Sequence, residues 1–252
     1  MQVVVTENAK QYPLDAGAMD KQRVREHVWS QLADTGAARF PFPVHGRIPN
    51  FDGADDAAER LFSLPAWRDA ATIKVNPDYA QFPVRVGAIA AGKDVCVAVP
   101  RLSEKECFFH LDHTEIDDPT EAATIDGAAA HGTPVSPAAM PAIDLVVTGS
   151  VAVTPAGDRV GTGEGYSDLE YALLREVDRL DGTTPVVTTV HEHQVVEDTV
   201  ETESHDVPLN FVLTPERTIA APTDRSRPSG IDWSLLDADD VAAMPVLQSL
   251  QN

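Results

Sequence analysis

The run of apolar segments along this chain of 252 residues predicts an α/β fold. The expected core is a doubly wound, mainly parallel sheet with helices on both faces. Three observations carry that expectation. Short β-branched runs alternate with helical patterns over most of the length. Residues 71–100 read strand, helix, strand, with the spacing of a parallel crossover. A strand near 143–147 leads towards a glycine-rich bend and another helix.

Residues 1–16 hold a short β-prone run, then polar residues and Pro13. Asp20 is placed to cap a helix that starts at Lys21. Val24, Val28 and Leu32 fall on one face of that helix, Trp29 widens it and Gly36 ends it. Lys21 and Arg25 lie one turn apart and can point the same way. By spacing alone they read as a solvated basic patch. A proline-rich stretch follows, then a helix over about 52–64, closed by Pro65-Ala66-Trp67. The run 71–75 is a strand ended by Asn76-Pro77-Asp78. A helix over 82–91 stops at Gly92-Lys93, and 94–99 is the next strand, ended by Pro100. Residues 108–111 form a further strand, and 117–132 read as loop and weak helix. The strand from Ile143 ends at Thr148-Gly149. After it come a short apolar run at 150–153, a turn at 155–158, the glycine bend and a helix to about Leu180. The run 185–190 is a strand, 194–196 a short one, and 210–214 the last. Residues 1–220 are read as one domain and 221–252 as a polar tail with a short amphipathic helix.

Forty acids against 19 Lys plus Arg give a formal charge of -21. That field repels nucleic acid and anionic membranes. A phosphate ligand would need a few local cations, backbone dipoles or an accompanying divalent metal. Dispersed acids with scarce lysine point to a source rich in salt. Cys96 and Cys107 make no disulfide framework and read as buried, reduced thiols of a cytoplasmic protein. The N-terminus lacks the pattern of a signal peptide, and no apolar run is long enough to span a membrane.

The bend itself is Arg159 to Leu174, RVGTGEGYSDLEYALL. Gly161, Gly163 and Gly165 alternate, and Tyr166 and Asp168 follow. Bare backbone ahead of a helix N-terminus can cradle phosphate, although Gly-x-Gly-x-Gly also makes plain tight turns. Asp168 could hold Mg²⁺ beside phosphates or be an ordinary first-turn acid. His191 and His193, read as strand residues, would share a face as a metal pair, but a structural role is favoured because no third ligand has useful spacing. His110-x-x-His113 is weaker still. Ser204-His205-Asp206 are adjacent in sequence and cannot form a converging triad. In a sheet of this kind ligands bind at the carboxyl ends of strands. Residues 76–78, 148–149 and 191–193 would gather there, near the bend.

Taken together these residues resemble the 5-formyltetrahydrofolate cyclo-ligase family, in order from about Lys21 to Thr214. The resemblance rests on Lys21-x-x-x-Arg25, on Ala88 to Lys93 with the strand and Pro100 after it, on Ile143-Asp144-Leu145, and above all on Arg159 to Asp168. Gln194 and Asp206 match the late glutamine and aspartate of the family. The resemblance implies a three-layer sheet like that of sugar-phosphate isomerases and CoA transferases. It implies ATP-dependent closure of 5-formyltetrahydrofolate to 5,10-methenyltetrahydrofolate. Lys21, Arg25 and the backbone of Gly161, Thr162, Gly163, Glu164 and Gly165 would hold the phosphates of ATP, with Arg159 assisting. Tyr166 would stack or hydrogen-bond at the cleft, and Asp168 would bind Mg²⁺. Asp78, with Gln194 and Asp206, would meet a substrate of the folate class. The chain departs from the family at Ser167, Leu169, Asp78 and Asn210, and Lys74 and Arg85 are unusual. The phrases IPNF, KVNPD and GEGYSDLEYALL are closer to a branch of domain-containing relatives, some of which carry an RNA-recognition module that nothing here matches. A second reading is a non-catalytic nucleotide- or folate-binding relative. A phosphosugar isomerase would rest on shared fold only.

Overall fold

A computed structural model describes residues 20–221 and 225–251. The expected readings of residues 1–16 lie outside this range. In chain order the strands are β1 (Ala38–Arg39), β2 (Asn50–Phe51), β3 (Thr72–Val75), β4 (Asp94–Ala98), β5 (Phe108–Leu111) and β6 (Thr133–Val135). Then come β7 (Leu145–Thr148), β8 (Ala152–Val153), β9 (Arg159–Val160), β10 (Val186–Thr189), β11 (Phe211–Leu213) and β12 (Thr218–Ala220). The helices are α1 (Lys21–Asp34), α2 (Ala54–Phe62), α3 (Pro65–Asp69), α4 (Phe82–Ala90), α5 (Pro119–Ala122) and α6 (Ile125–His131). The last three are α7 (Tyr166–Glu176), α8 (Ala238–Ala243) and α9 (Pro245–Leu250).

Eight strands form one sheet in the order β12-β11-β10-β7-β3-β4-β5-β6. The five from β11 to β4 run parallel. The outer strands β12, β5 and β6 join by antiparallel pairing, which needs only short connections. The crossover β3-α4-β4 is the one the spacing predicts.

Alternation along the strands sorts the side chains onto two covered faces. Ile73, Val75, Val95, Val97, Leu145 and Val147 meet Ala58, Leu61, Val84, Ala88 and Ile89 on one side. Cys96, Ala98, Val146, Val186 and Val212 meet Tyr171, Ala172, Leu173 and Leu174 of α7 on the other. Three layers result, as expected. The C-terminal segment belongs to the second face: Ile231, Met244, Val246 and Leu247 are buried in the same cluster. Val24, Val28, Trp29 and Leu32, the expected stripe of α1, cover the small β8-β9 hairpin instead of the main sheet. Cys96 and Cys107 are buried and unpaired, and burial pushes the Cys107 thiol up to about 12.

The apolar run at 150–153 and the turn after it, expected between the strand from 143 and the glycine bend, belong to the β8-β9 hairpin. One local expectation is corrected. Helix α7 ends at Glu176, short of Leu180, and Asp178 just beyond it takes a positive φ of 55°.

Candidate functional site

The carboxyl ends of β3 and β4, the glycine bend and the start of α7 enclose a cleft of about 420 Å³. Lys21, Arg25, Asp78, Arg159, Asp168 and Asp206 all line it, as does every residue from Gly161 to Tyr166. These are drawn from four separated stretches of sequence.

On one wall, α1 brings its basic pair to the bend. Asp20 caps the helix, accepting from the Arg23 amide at 3.4 Å. Arg25 Nε donates to the Gly161 carbonyl at 2.7 Å, so the guanidinium is tied to the bend itself. Gly163 has φ +110°, and a methyl added there would lie 3.4 Å from the Arg25 guanidinium carbon. Gly165 is the N-cap of α7 at φ 73° and supplies no side-chain acceptor to the first helical turn. Those N–H groups are left to an outside acceptor. Lys21 Nζ sits 2.9 and 2.7 Å from the two Asp206 oxygens. Arg47 also lines the cleft, and its Nε is buried without a hydrogen-bond partner. An uncapped helix start, an orphaned guanidinium N–H and four further cations, Lys21, Arg25, Arg101 and Arg159, in a molecule of charge -21 suit an anionic group.

Arg159 and Asp168 form a buried ion pair beneath this wall. The other Asp168 oxygen accepts from the Val207 amide at 3.0 Å. Each oxygen keeps a second lone pair, so the carboxylate can still serve a hard cation. Glu203, His205 and Asp206 also place ligand atoms within 4.8 Å of one another on the cleft.

The opposite wall follows β3. Asp78 enters after Asn76-Pro77, and Gly149 of the neighbouring strand end packs directly on it. A Cβ at 149 would lie 2.6 Å from Asp78 Oδ2, so a side chain there would have to displace the carboxylate. Buried Arg85 donates to the Asn76 and Asp78 carbonyls at 2.5 and 3.0 Å and holds the loop. Burial pushes the Asp78 carboxyl up to about 6, with Arg85 opposing and Glu170 adding to the rise.

Between the walls lies a polar chain that sequence reading did not assemble. Lys74 points from the middle of β3 towards α7 and pairs with Glu170. It also donates to Asn76 Oδ1 at 2.7 Å, and Asn76 Nδ2 donates to Ser167 Oγ at 2.6 Å. Its signal was present: a lysine inside the apolar strand TIKV, and an acid at 170 on the inner stripe of α7.

Other expectations are overturned. Gln194 is fully buried and does not line the cleft. Its amide donates to the Ser150 and Val151 carbonyls and accepts from the His191 amide, so it braces the hairpin. His191 and His193 are not on a strand. They sit in one 3-10 turn that His191 caps by accepting from the His193 amide. Asn210 accepts from the Val186 amide and from Arg227. That is a bracing role outside the cleft.

The model of the 5-formyltetrahydrofolate cyclo-ligase family matches residues 18–215. The chain is 41% identical over 244 residues to the methenyltetrahydrofolate synthase domain-containing protein of Bos taurus. It is 36% identical over 245 residues to that of Homo sapiens. These alignments cover 93% and 94% of the chain, more than residues 1–215 alone could supply, so they run into the C-terminal segment. The chain spans 62% of the length of either relative. Among solved structures, 5,10-methenyltetrahydrofolate synthetase of Aquifex aeolicus superposes with a TM-score of 0.51 at 16% identity. It covers 82% of this chain and 95% of that one, a likeness of fold.

Proposed function

The chain belongs to the 5-formyltetrahydrofolate cyclo-ligase family, and from that premise we propose that it closes 5-formyltetrahydrofolate to 5,10-methenyltetrahydrofolate at the expense of ATP. The observation that supports this reading is the meeting, in one cleft, of Lys21, Arg25, Arg159 and the glycine bend with Asp78 across from them.

In this reading the formyl oxygen takes the γ-phosphoryl group and ADP departs. N10 then attacks the activated carbon and releases its proton to solvent, the C–O bond breaks and phosphate leaves. The protein contributes position and charge. Lys21, Arg25 and the free N–H groups at the start of α7 hold the phosphates. Arg159, aimed by Asp168, faces the charge that builds up on the transferred group. Asp78 accepts hydrogen bonds from the pterin, and Tyr166 lies against the substrate at the cleft. The Glu170-Lys74-Asn76-Ser167 chain fixes the floor. Asp168 would hold Mg²⁺, which would neutralise phosphate charge; Asp206 lines the same cleft.

A non-catalytic relative that binds nucleotide or folate is the second reading, favoured by Ser167, whose hydroxyl is held by Asn76. The deciding measurement is absorbance of the methenyl product with ATP, Mg²⁺ and 5-formyltetrahydrofolate in molar salt. Product formation that requires ATP is expected. Bound ATP without product would overturn the catalytic reading and leave the second.

A further inference from the structure

A second cavity, of about 810 Å³, shares the glycine bend with the cleft, since Gly163 to Tyr166 and His205 line both. Its remaining walls come from Ser204, α7 and the segment beyond residue 215. That segment is seated firmly. The Ile231 amide donates to Glu176 Oε2 at 3.0 Å, and a Cβ at Gly230 would lie 2.2 Å from the same oxygen.

The two cavities differ in chemistry. The cleft gathers Lys21, Arg25 and Arg159. Among the described residues, no lysine or arginine lines the second. Its apolar wall is Leu169, Ala172, Leu235, Leu236 and Met244, and its acids include Glu176, Asp232 and Asp240. An acidic rim repels phosphate. Apolar walls suit the faces of a flat heteroaromatic ring, and carboxylates accept from sugar hydroxyls. Asp232 engages the Ser234 amide and hydroxyl through Oδ1 alone, which leaves Oδ2 for such a donor. One molecule with a charged end and an uncharged aromatic end can therefore lie across the bend with each end in its matching cavity.

We propose that the second cavity seats the purine nucleoside of the nucleotide whose phosphates take the bend. The segment beyond residue 215 is then part of the nucleotide site. This rests on the phosphate-binding reading above.

The test is calorimetry on the full chain in molar salt, with ATP and with inorganic tripolyphosphate, for wild type, Leu236→Glu and Leu235→Glu. Leu235 is 54% exposed, so its substitution leaves the fold intact. The wild type is expected to bind ATP more tightly than tripolyphosphate. Leu236→Glu should weaken ATP by about tenfold or more and leave tripolyphosphate within about twofold, with Leu235→Glu following the same pattern to a smaller degree. Equal wild-type affinities, an unchanged ATP affinity in both variants, or equal losses for both ligands would each overturn the nucleoside site while the bend still binds phosphate. A wild type that binds neither ligand would instead bring down the phosphate reading itself.

Discussion

Asp78 combines an energetic cost with a chemical task. Its carboxyl is raised from 3.8 to about 6, mainly by burial. Between those values the folded chain holds more protons than the unfolded one, so stability falls as pH rises through that window. Above it the full cost is present, on the order of 1–3 kcal/mol. Asp78→Asn should therefore be more stable than wild type at pH 7.5 and indistinguishable near pH 4, as read from urea midpoints at both. The same variant should lose the acid limb near pH 6 that the wild-type kcat/KM profile is expected to show. Asp168 behaves in the opposite way. Removing it strands a buried guanidinium and a Val207 amide, and Asp168→Ala should cost about 3–5 kcal/mol. A loss below 1 kcal/mol in chemical denaturation would show that Arg159 finds water instead.

At the scale of elements, the bend and the C-terminal segment make separate predictions. Gly163 needs a left-handed backbone and faces Arg25 closely. Gly163→Ala should cost roughly 1 kcal/mol in strain and, by distorting the bend, weaken ATP by about tenfold. Unchanged ATP affinity in calorimetry would separate the bend from the phosphates. The C-terminal segment is packed as core, with Val246 and Leu247 fully buried beside Leu173 and Leu174. Leu247→Ala should cost about 2–4 kcal/mol, whereas a loosely attached tail would lose almost nothing. Guanidinium unfolding distinguishes the two.

Across the whole molecule, a charge of -21 works against compaction and against anionic ligands alike. Salt screens the repulsion, so raising KCl from 0.1 to 2 M should lift the melting temperature by on the order of 10 °C. A flat or falling melting curve would contradict a protein adapted to salt. The cleft answers the same field locally by concentrating cations against bare backbone. Among the described residues no helix is long and apolar enough to cross a membrane.

Local pattern by itself determined the strands 72–75, 94–98, 145–148 and 186–189, the stripe of α1, and the glycine bend, because period, β-branching and glycine are properties of neighbours along the chain. Tertiary structure alone decided which side chains became partners. Lys74 meets Glu170 only because strand alternation turns it towards α7. Gln194 braces a hairpin because that hairpin intervenes before the bend. The tail became core because α7 left an apolar face uncovered. These are contacts between residues far apart in sequence, whose energies depend on the layers that enclose them, and no spacing along one chain encodes that enclosure.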